Sequence, residues 1–265
     1  IMKNILIVGC GLIGSSVLRA SIAKKISKNI FVYEKSKKNI SIIKKINSKL
    51  IILNKLDKRI SNIDLVILCT PMSEYQNIIP YLNKFLHKKS VITDVSSTKH
   101  NVLKLKNKML KKSLDWILSH PITGSEVSGP EFGNKNLFKK KWCIITNDKN
   151  KNKVKKVVRF WKKLGSRIIF MDPFEHDKIF AITSHLPHLI AYNLIKTAQD
   201  FQKKKKKNII KYSAGGLRDF SRTAASNEIM WRDIFFSNKE NMISTINMFI
   251  KNLNVFKKNI NNLED

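Results

Sequence analysis

Apolar residues come first in short unbroken runs and then, past the middle of the chain, in a helical rhythm. NILIVG (Asn4 to Gly9) ends in glycines, and LIGSSVLRASIAKK after it has helical spacing, which predicts a strand, a tight turn and a helix. IFVYE (Ile30 to Glu34), LIIL (Leu50 to Leu53), DLVILCTP (Asp64 to Pro71), SVITDV (Ser90 to Val95) and DWILSHP (ending at Pro121) extend the series of strands. KWCIIT and SRIIFM add two more around a helix at about residues 151 to 164. These runs alternate little between apolar and polar positions, as expected of strands buried on both faces of a parallel sheet that helices cover. From Pro173 onward the pattern is helical, with Lys203 to Lys207 read as a solvated loop between helices. The predicted fold is α/β: a Rossmann-type, mostly parallel sheet over residues 1–172, followed by an all-helical domain over 173–265.

Length and composition narrow the class. A chain of 265 residues, 43% hydrophobic, can bury a real core and excludes wholesale disorder. Cys10, Cys69 and Cys143 are odd in number and far apart, which fits neither a disulfide framework nor a CxxC metal site and points to a reducing, cytoplasmic setting. The apolar start of the chain is broken by Gly9, Gly11 and Gly14, which reads as folded structure and not as an export signal. No uninterrupted apolar stretch reaches the roughly 18 residues of a membrane-spanning helix. Lysine and arginine number 51 against 19 acidic residues, a net of +32. Such a charge admits a nucleic-acid partner, but the lysines are spread evenly and no basic stripe interleaves with aromatic residues, so a tolerant solvated surface is the simpler reading.

The first chemical motif is Gly9-Cys10-Gly11-Leu12-Ile13-Gly14, a GxGxxG that follows a strand and opens a helix. Gly9 permits the tight turn, Gly11 admits a pyrophosphate close to the backbone, and Gly14 lets the helix pack on the strand. Glu34 ends the next strand, where a carboxylate can accept from both ribose hydroxyls. A 2′-phosphate would meet that carboxylate unfavourably, so the motif favours NAD over NADP. Thr70 and Pro71 sit at the carboxyl end of a further strand, on the side where open α/β sheets bind ligands.

DVSSTK (Asp94 to Lys99) and SHPITGSEVSGP (Ser119 to Pro130) fall at the same edge and bring Ser97 and His120 to one crevice with Thr70. A histidine can take the proton of a substrate hydroxyl while hydride leaves the same carbon, and a serine can hold that hydroxyl. Gly124, Ser125, Ser128 and Gly129 would let the following loop lie close to a ligand. A lone histidine is otherwise most simply the cap of a strand. In the helical half, Arg218 and Arg222 are four apart and share a helix face, and by spacing either could bind a carboxylate or form a surface ion pair. His185 and His188 are close, but no third ligand completes a metal site, so no metal is expected.

GCGLIGSS, DVSSTK, HPITGSEVSGP, EHDKIFAITSHLPH and AGGLRDFSRTAASNEIMWRDI, in that order, resemble the prephenate/arogenate dehydrogenases of tyrosine biosynthesis, also called cyclohexadienyl dehydrogenases. The resemblance implies NAD-dependent oxidative decarboxylation of prephenate to 4-hydroxyphenylpyruvate, or of arogenate to tyrosine. It gives His120 the catalytic role, Ser97 the same hydroxyl, and Arg222 a substrate carboxylate. Asp219, Trp231, Ser184, His176 and His188 line or support the substrate site from the helical domain, which in this family also forms the dimer. Departures stand at Ile122-Thr123, Leu217 and Asn227-Glu228, beside the proposed chemistry, and bear on the choice of substrate. Two other classes share features with the chain. A dehydrogenase of the β-hydroxyacid type shares the Rossmann half but needs a lysine-based pattern that is not found, and a non-catalytic nucleotide or nucleic-acid binding module would tolerate substitution of His120 and Arg222.

Overall fold

The computed structural model describes residues 2–124 and 127–263. Two compact units divide the chain, Ile1–Phe174 and Glu175–Asp265.

In the first unit, strands β1 (Met2–Val8), β2 (Ser27–Tyr33), β3 (Ile51–Leu53), β4 (Leu65–Leu68), β5 (Val91–Asp94) and β6 (Asp115–Ile117) form one sheet in the order 3-2-1-4-5-6. All its pairings are parallel. Helices α1 (Leu12–Ala23), α2 (Lys37–Ile46), α3 (Tyr75–Phe85) and α4 (His100–Met109) make the crossovers. Both faces of the sheet are buried, as its unbroken apolar runs require. Ile5, Ile7, Val32, Leu65 and Ile67 pack on one side with Val17 and Leu18 of α1. Leu6, Val8, Val66, Leu68 and Ile92 pack on the other with Ile78, Ile79 and Leu82 of α3. The strand order reverses between β1 and β4, which opens a crevice beyond their carboxyl ends.

DWILSHP departs from the single strand its sequence predicts. Asp115–Ile117 ends the parallel sheet as β6, and after Leu118 the chain enters a second sheet as β7 (Ser119–Pro121). There it pairs antiparallel with β8 (Trp142–Ile145), which pairs parallel with β9 (Arg167–Phe170). His120 therefore sits inside a ladder, opposite Ile144, and not at the tip of a parallel strand. Where the chain changes sheets, the backbone groups of Ser119 bond to two buried side chains, Asp94 at the end of β5 and Lys99 at the start of α4, and a hydrophobicity pattern carries no sign of that.

Helix α5 (Lys151–Leu164) precedes β9, with Asn150 capping its start and Gly165 closing its end at φ 101°. The second unit is helical: α6 (Pro173–Phe180), a π turn at Ala181–His185, α7 (Leu186–Lys205), α8 (Gly215–Ala224), α9 (Glu228–Ser237) and α10 (Lys239–Asn262). The lysine run is not the loop its sequence suggests. Lys203, Lys204 and Lys205 form the last turn of α7, and Lys206 closes it at φ 50°. Lysine is a good helix former, and its charge is favoured at a helix carboxyl end. None of the described helices is long and apolar enough to cross a membrane.

Candidate functional site

The glycine turn lies where the strand order reverses. Gly9 donates its N–H to the Tyr33 carbonyl at 2.8 Å, and Cys69 donates to the Val8 carbonyl at 2.7 Å, so the turn hangs between the ends of β2 and β4. Gly9 has φ 85°, and a Cβ there would stand 2.6 Å from Thr70 Cγ2. A Cβ on Gly14 would stand 2.1 Å from the Gly9 carbonyl oxygen. Both glycines are therefore required by the protein itself. Gly11 is different. It is the N-cap of α1 with no side-chain cap, and no atom lies within 4 Å of the place a Cβ would take. Leu12 and Ile13 follow as the first helical residues and are half-buried. A helix amino terminus with orphan N–H groups and open space before it suits a phosphate.

Glu34 stands just past β2. Its carboxylate accepts from the Cys10 N–H at 2.8 Å and from the Ser36 N–H at 2.9 Å. Those bonds aim the group at the turn and leave further lone pairs for a hydroxyl donor. Thr70 lies two residues past β4, beside Gly9, and its hydroxyl is buried without a hydrogen-bond partner among the described residues. Pro71 caps the short 3-10 turn that follows. Open backbone at Gly11, an unused hydroxyl at Thr70 and a fixed carboxylate at Glu34 fit a dinucleotide. Burial, with the Glu34 charge next in effect, pushes the Cys10 thiol up to about 12, so the turn carries a protonated thiol at neutral pH.

Beyond β5 lies a polar cluster that a reading of the sequence by motif misses. Asp94 and Lys99 are both fully buried, with Nζ 2.5 Å from Oδ2. Lys99 also donates to Ser96 Oγ and to the Ser119 carbonyl, each at 2.7 Å. Asp94 accepts from the Ser96 N–H and hydroxyl on one oxygen. Its other oxygen accepts from the Ser119 N–H and the Trp116 indole, each at 3.2 Å. The Ser119 hydroxyl donates to the Asp94 carbonyl at 2.6 Å and accepts from the Trp161 indole at 3.0 Å. Ser97 rides on the turn wound around this cluster and is half-buried, and His120, 9% exposed, follows Ser119 directly. The two residues expected to do chemistry therefore flank one buried ion pair. The one available signal was an acid and a lysine five apart, bounding a turn of small hydroxylated residues.

Gly124, Ser128 and Gly129 follow His120, with Gly129 at φ 111°, while Ser125 and Glu126 lie outside the described residues. The segment after them returns to α1. Arg19 donates to the Pro130 carbonyl at 3.2 Å, and Asn134 donates its N–H to Ser16 Oγ at 3.0 Å. A Cβ on Gly133 would meet Ser15 Oγ at 2.2 Å.

In the second unit, Trp231 of α9 is buried, and the rings of His185, His188 and Phe235 surround it. Its indole nitrogen has no hydrogen-bond partner among the described residues. His188 Nδ1 is 3.0 Å from the Ser184 carbonyl, which fixes the proton on that nitrogen. Burial holds the His185 imidazole down at about 4 and lowers that of His188. His176 is fully buried, bonded to Asp177 at 2.8 Å and stacked on Phe180. Arg218, Asp219 and Arg222 stand exposed on α8. Among the described residues no cluster of three His, Cys, Asp or Glu side chains could hold a metal.

A doubly wound parallel sheet with a glycine turn at its switch point, joined to a helical unit, defines a nucleotide-binding oxidoreductase of the Rossmann type. The family model for the nucleotide-binding domain of prephenate dehydrogenase matches residues 19–170, and that for the prephenate dehydrogenase dimerization domain matches residues 172–265. The chain belongs to the prephenate dehydrogenase family. A cyclohexadienyl dehydrogenase of Zymomonas mobilis is 32% identical over 255 residues, covering 96% of this chain and 87% of its own. A prephenate dehydrogenase of Lactococcus lactis is 30% identical over 255 residues, covering 95% and 70%. The crystal structure of prephenate dehydrogenase from A. aeolicus in complex with hydroxyphenyl propionate and NAD+ matches with a TM-score of 0.90 at 34% identity, over 98% of this chain and 91% of that one.

Proposed function

We propose that the chain oxidatively decarboxylates prephenate to 4-hydroxyphenylpyruvate, arogenate to tyrosine, or both, with NAD, as a cytoplasmic homodimer serving tyrosine biosynthesis. The observation that carries the reading is the flanking of the buried Asp94–Lys99 pair by Ser97 and His120 at the carboxyl edge of a nucleotide-binding sheet. The A. aeolicus relative, crystallised with NAD+ and hydroxyphenyl propionate, supports both the cofactor and an aromatic acid as ligand class.

NAD, when bound, supplies the acceptor for a hydride from the ring carbon that bears the hydroxyl. Gly11 and the first turn of α1 receive its pyrophosphate, Glu34 its ribose hydroxyls, and Thr70 and Pro71 border it beyond β4. Ser97 holds the substrate hydroxyl, and His120 accepts its proton as the carbon–hydrogen bond breaks. The carboxylate on the opposite ring carbon leaves as carbon dioxide, and its bonding electrons complete the aromatic ring. The proton held by His120 then returns to the ring oxygen, so the step balances without a further base. Arg222 binds a substrate carboxylate through its planar fork. Ser184, His188, Asp219 and Trp231 serve the substrate from the second unit, and His176 supports them from inside it. Homodimer formation is supported by the apolar side chains that α10 leaves exposed, among them Met248, Leu253, Phe256 and Ile260.

The test follows absorbance at 340 nm with NAD and either substrate. Reduction with one or both supports the proposal, and the ratio of kcat/KM assigns the preferred substrate. His120→Asn is expected to keep substrate affinity, lose turnover and abolish the acidic limb of the kcat/KM profile. Silence with both substrates, with NAD and again with NADP, overturns the reading.

A further inference from the structure

Ser119 joins the buried ion pair to the strand that bears His120. In the β7–β8 ladder the flanking hydrogen bonds run from the Thr146 N–H to the Leu118 carbonyl and from the Ile122 N–H to the Trp142 carbonyl. Antiparallel residues alternate between facing the partner strand and facing away. The Ser119 N–H and carbonyl face away, where Asp94 and Lys99 take them up. The same pair gathers the 95–98 turn. Ser96 donates its N–H and hydroxyl to Asp94, its hydroxyl accepts from Lys99, and the hydroxyl reaches the Thr98 carbonyl at 3.0 Å.

Burying two charges is a poor way to gain stability, because desolvation offsets most of their attraction and apolar side chains of the same shape do as well. Geometry is the property such a pair supplies best. Among the described residues the ammonium donates to Asp94 Oδ2, Ser96 Oγ and the Ser119 carbonyl in fixed directions, and the last two belong to the segments that carry Ser97 and His120.

We propose that Asp94 and Lys99 are the positioning residues of the reaction site: they set the course of β7, and so the direction of the His120 ring, and they wind the turn that presents Ser97. Neither touches substrate. The inference rests on the roles given to His120 and Ser97 above.

The experiment compares the full-length protein with Asp94→Asn/Lys99→Met, which removes both charges at nearly constant size. The ring resonances of the histidines are recorded by NMR, with His120 assigned by its loss in His120→Asn. NAD affinity is measured by fluorescence, and kcat and KM with whichever substrate is turned over. The expected result is unchanged NAD affinity and KM, a displaced and broadened His120 resonance, an unmoved His188 resonance, and kcat lowered by about 10- to 100-fold. A folded double variant with the His120 resonance in place and kcat intact overturns the proposal. Should the double variant not fold, Ser96→Ala breaks the link between the turn and the pair while keeping both charges. A displaced His120 resonance with a smaller loss of kcat then supports the proposal, and an unaltered spectrum with unaltered kcat overturns it. If the unmodified protein oxidises neither substrate, the reading of the reaction fails, and the position of the His120 resonance alone decides whether the pair directs that ring.

Discussion

His188 lies flat against the indole of Trp231, with ring centroids 3.6 Å apart and planes 19° from parallel. Its neighbour His185 meets the same indole edge-on at 6.1 Å and holds the opposite tautomer. His188 donates from Nδ1 to the Ser184 carbonyl, whereas His185 Nδ1 accepts from the Asn238 amide at 3.2 Å. That amide is fixed, because it also donates to the Asp177 carbonyl at 2.7 Å.

Acid should therefore weaken the helical unit before carboxylates titrate. His185 takes a proton near 6.5 when unfolded but only near 4 when folded, so between those values the unfolded state binds more protons. Stability is complete above about pH 6.5 and falls as pH drops toward 4, by about 3 kcal/mol from this residue. His188 acts in the same direction. Urea unfolding at pH 7, 5.5 and 4.5 measures the slope, and His185→Gln should flatten it; an equal slope in that variant would remove His185 as the cause.

Two glycines of the turn should separate fold from ligand. Gly14→Ala drives a methyl group into the Gly9 carbonyl and should cost a few kcal/mol of stability. Gly11→Ala meets no protein atom, so Tm should hold while NAD affinity falls tenfold or more, roughly 1.4 kcal/mol or greater. Thermal unfolding and NAD titration of both variants distinguish the two roles. A Gly11→Ala protein with unchanged NAD affinity would mean that the pyrophosphate lies elsewhere.

Replacing Glu34 by Ala removes the ribose acceptor and releases the N–H groups of Cys10 and Ser36. NAD affinity should fall about tenfold, close to the worth of a charge-assisted hydrogen bond. NADP should lose less or gain, with Lys35, Lys37 and Lys38 nearby in the chain. The ratio of the two dissociation constants is the readout, and an unchanged ratio would detach Glu34 from cofactor choice.

Arg222 stands exposed on α8, so its loss should leave Tm unchanged. Arg222→Ala should raise KM for a dianionic substrate by about 10- to 100-fold, the worth of a charged hydrogen bond or two, and leave NAD affinity alone. Arg218→Ala is the control one turn away and should do less. Equal effects from both would point to general attraction by the basic surface and away from one carboxylate site.

The parallel sheet was legible because a strand buried on both faces has to be largely apolar, as β4 is throughout and as Ile5–Val8 of β1 are. The glycine turn was legible because its geometry admits few residue types. What stayed hidden depended on polar pairing across long sequence gaps. Nothing in DWILSHP marks that Ile117 and His120 belong to different sheets, since the groups that Ser119 bonds to at the crossing, Asp94 and Lys99, lie 20 or more residues earlier in the chain. The motif DVSSTK drew attention to Ser97 and assigned its two ends no role, yet Asp94 and Lys99 are fully buried charges that pair with each other. The lysine run misled for a related reason: lysine reads as solvated loop by charge, while its backbone readily continues a helix.

The seating of residues 130–134 on α1 bears on the order in which the unit can assemble. Ser16 and Asn134 are 118 positions apart, and Arg19 and Pro130 are 111 apart, so these contacts close one of the longest loops in the unit. Closing such loops is entropically slow, and it comes after local helices and neighbouring strands have formed. A nascent chain on the ribosome can thus fold its glycine turn early, yet it leaves the outer flank of α1 bare until Gly133 has emerged to fill it. A hydrogen-exchange experiment on refolding protein would see α1 protected in two stages, its sheet-facing side first and its Ser15–Arg19 flank last.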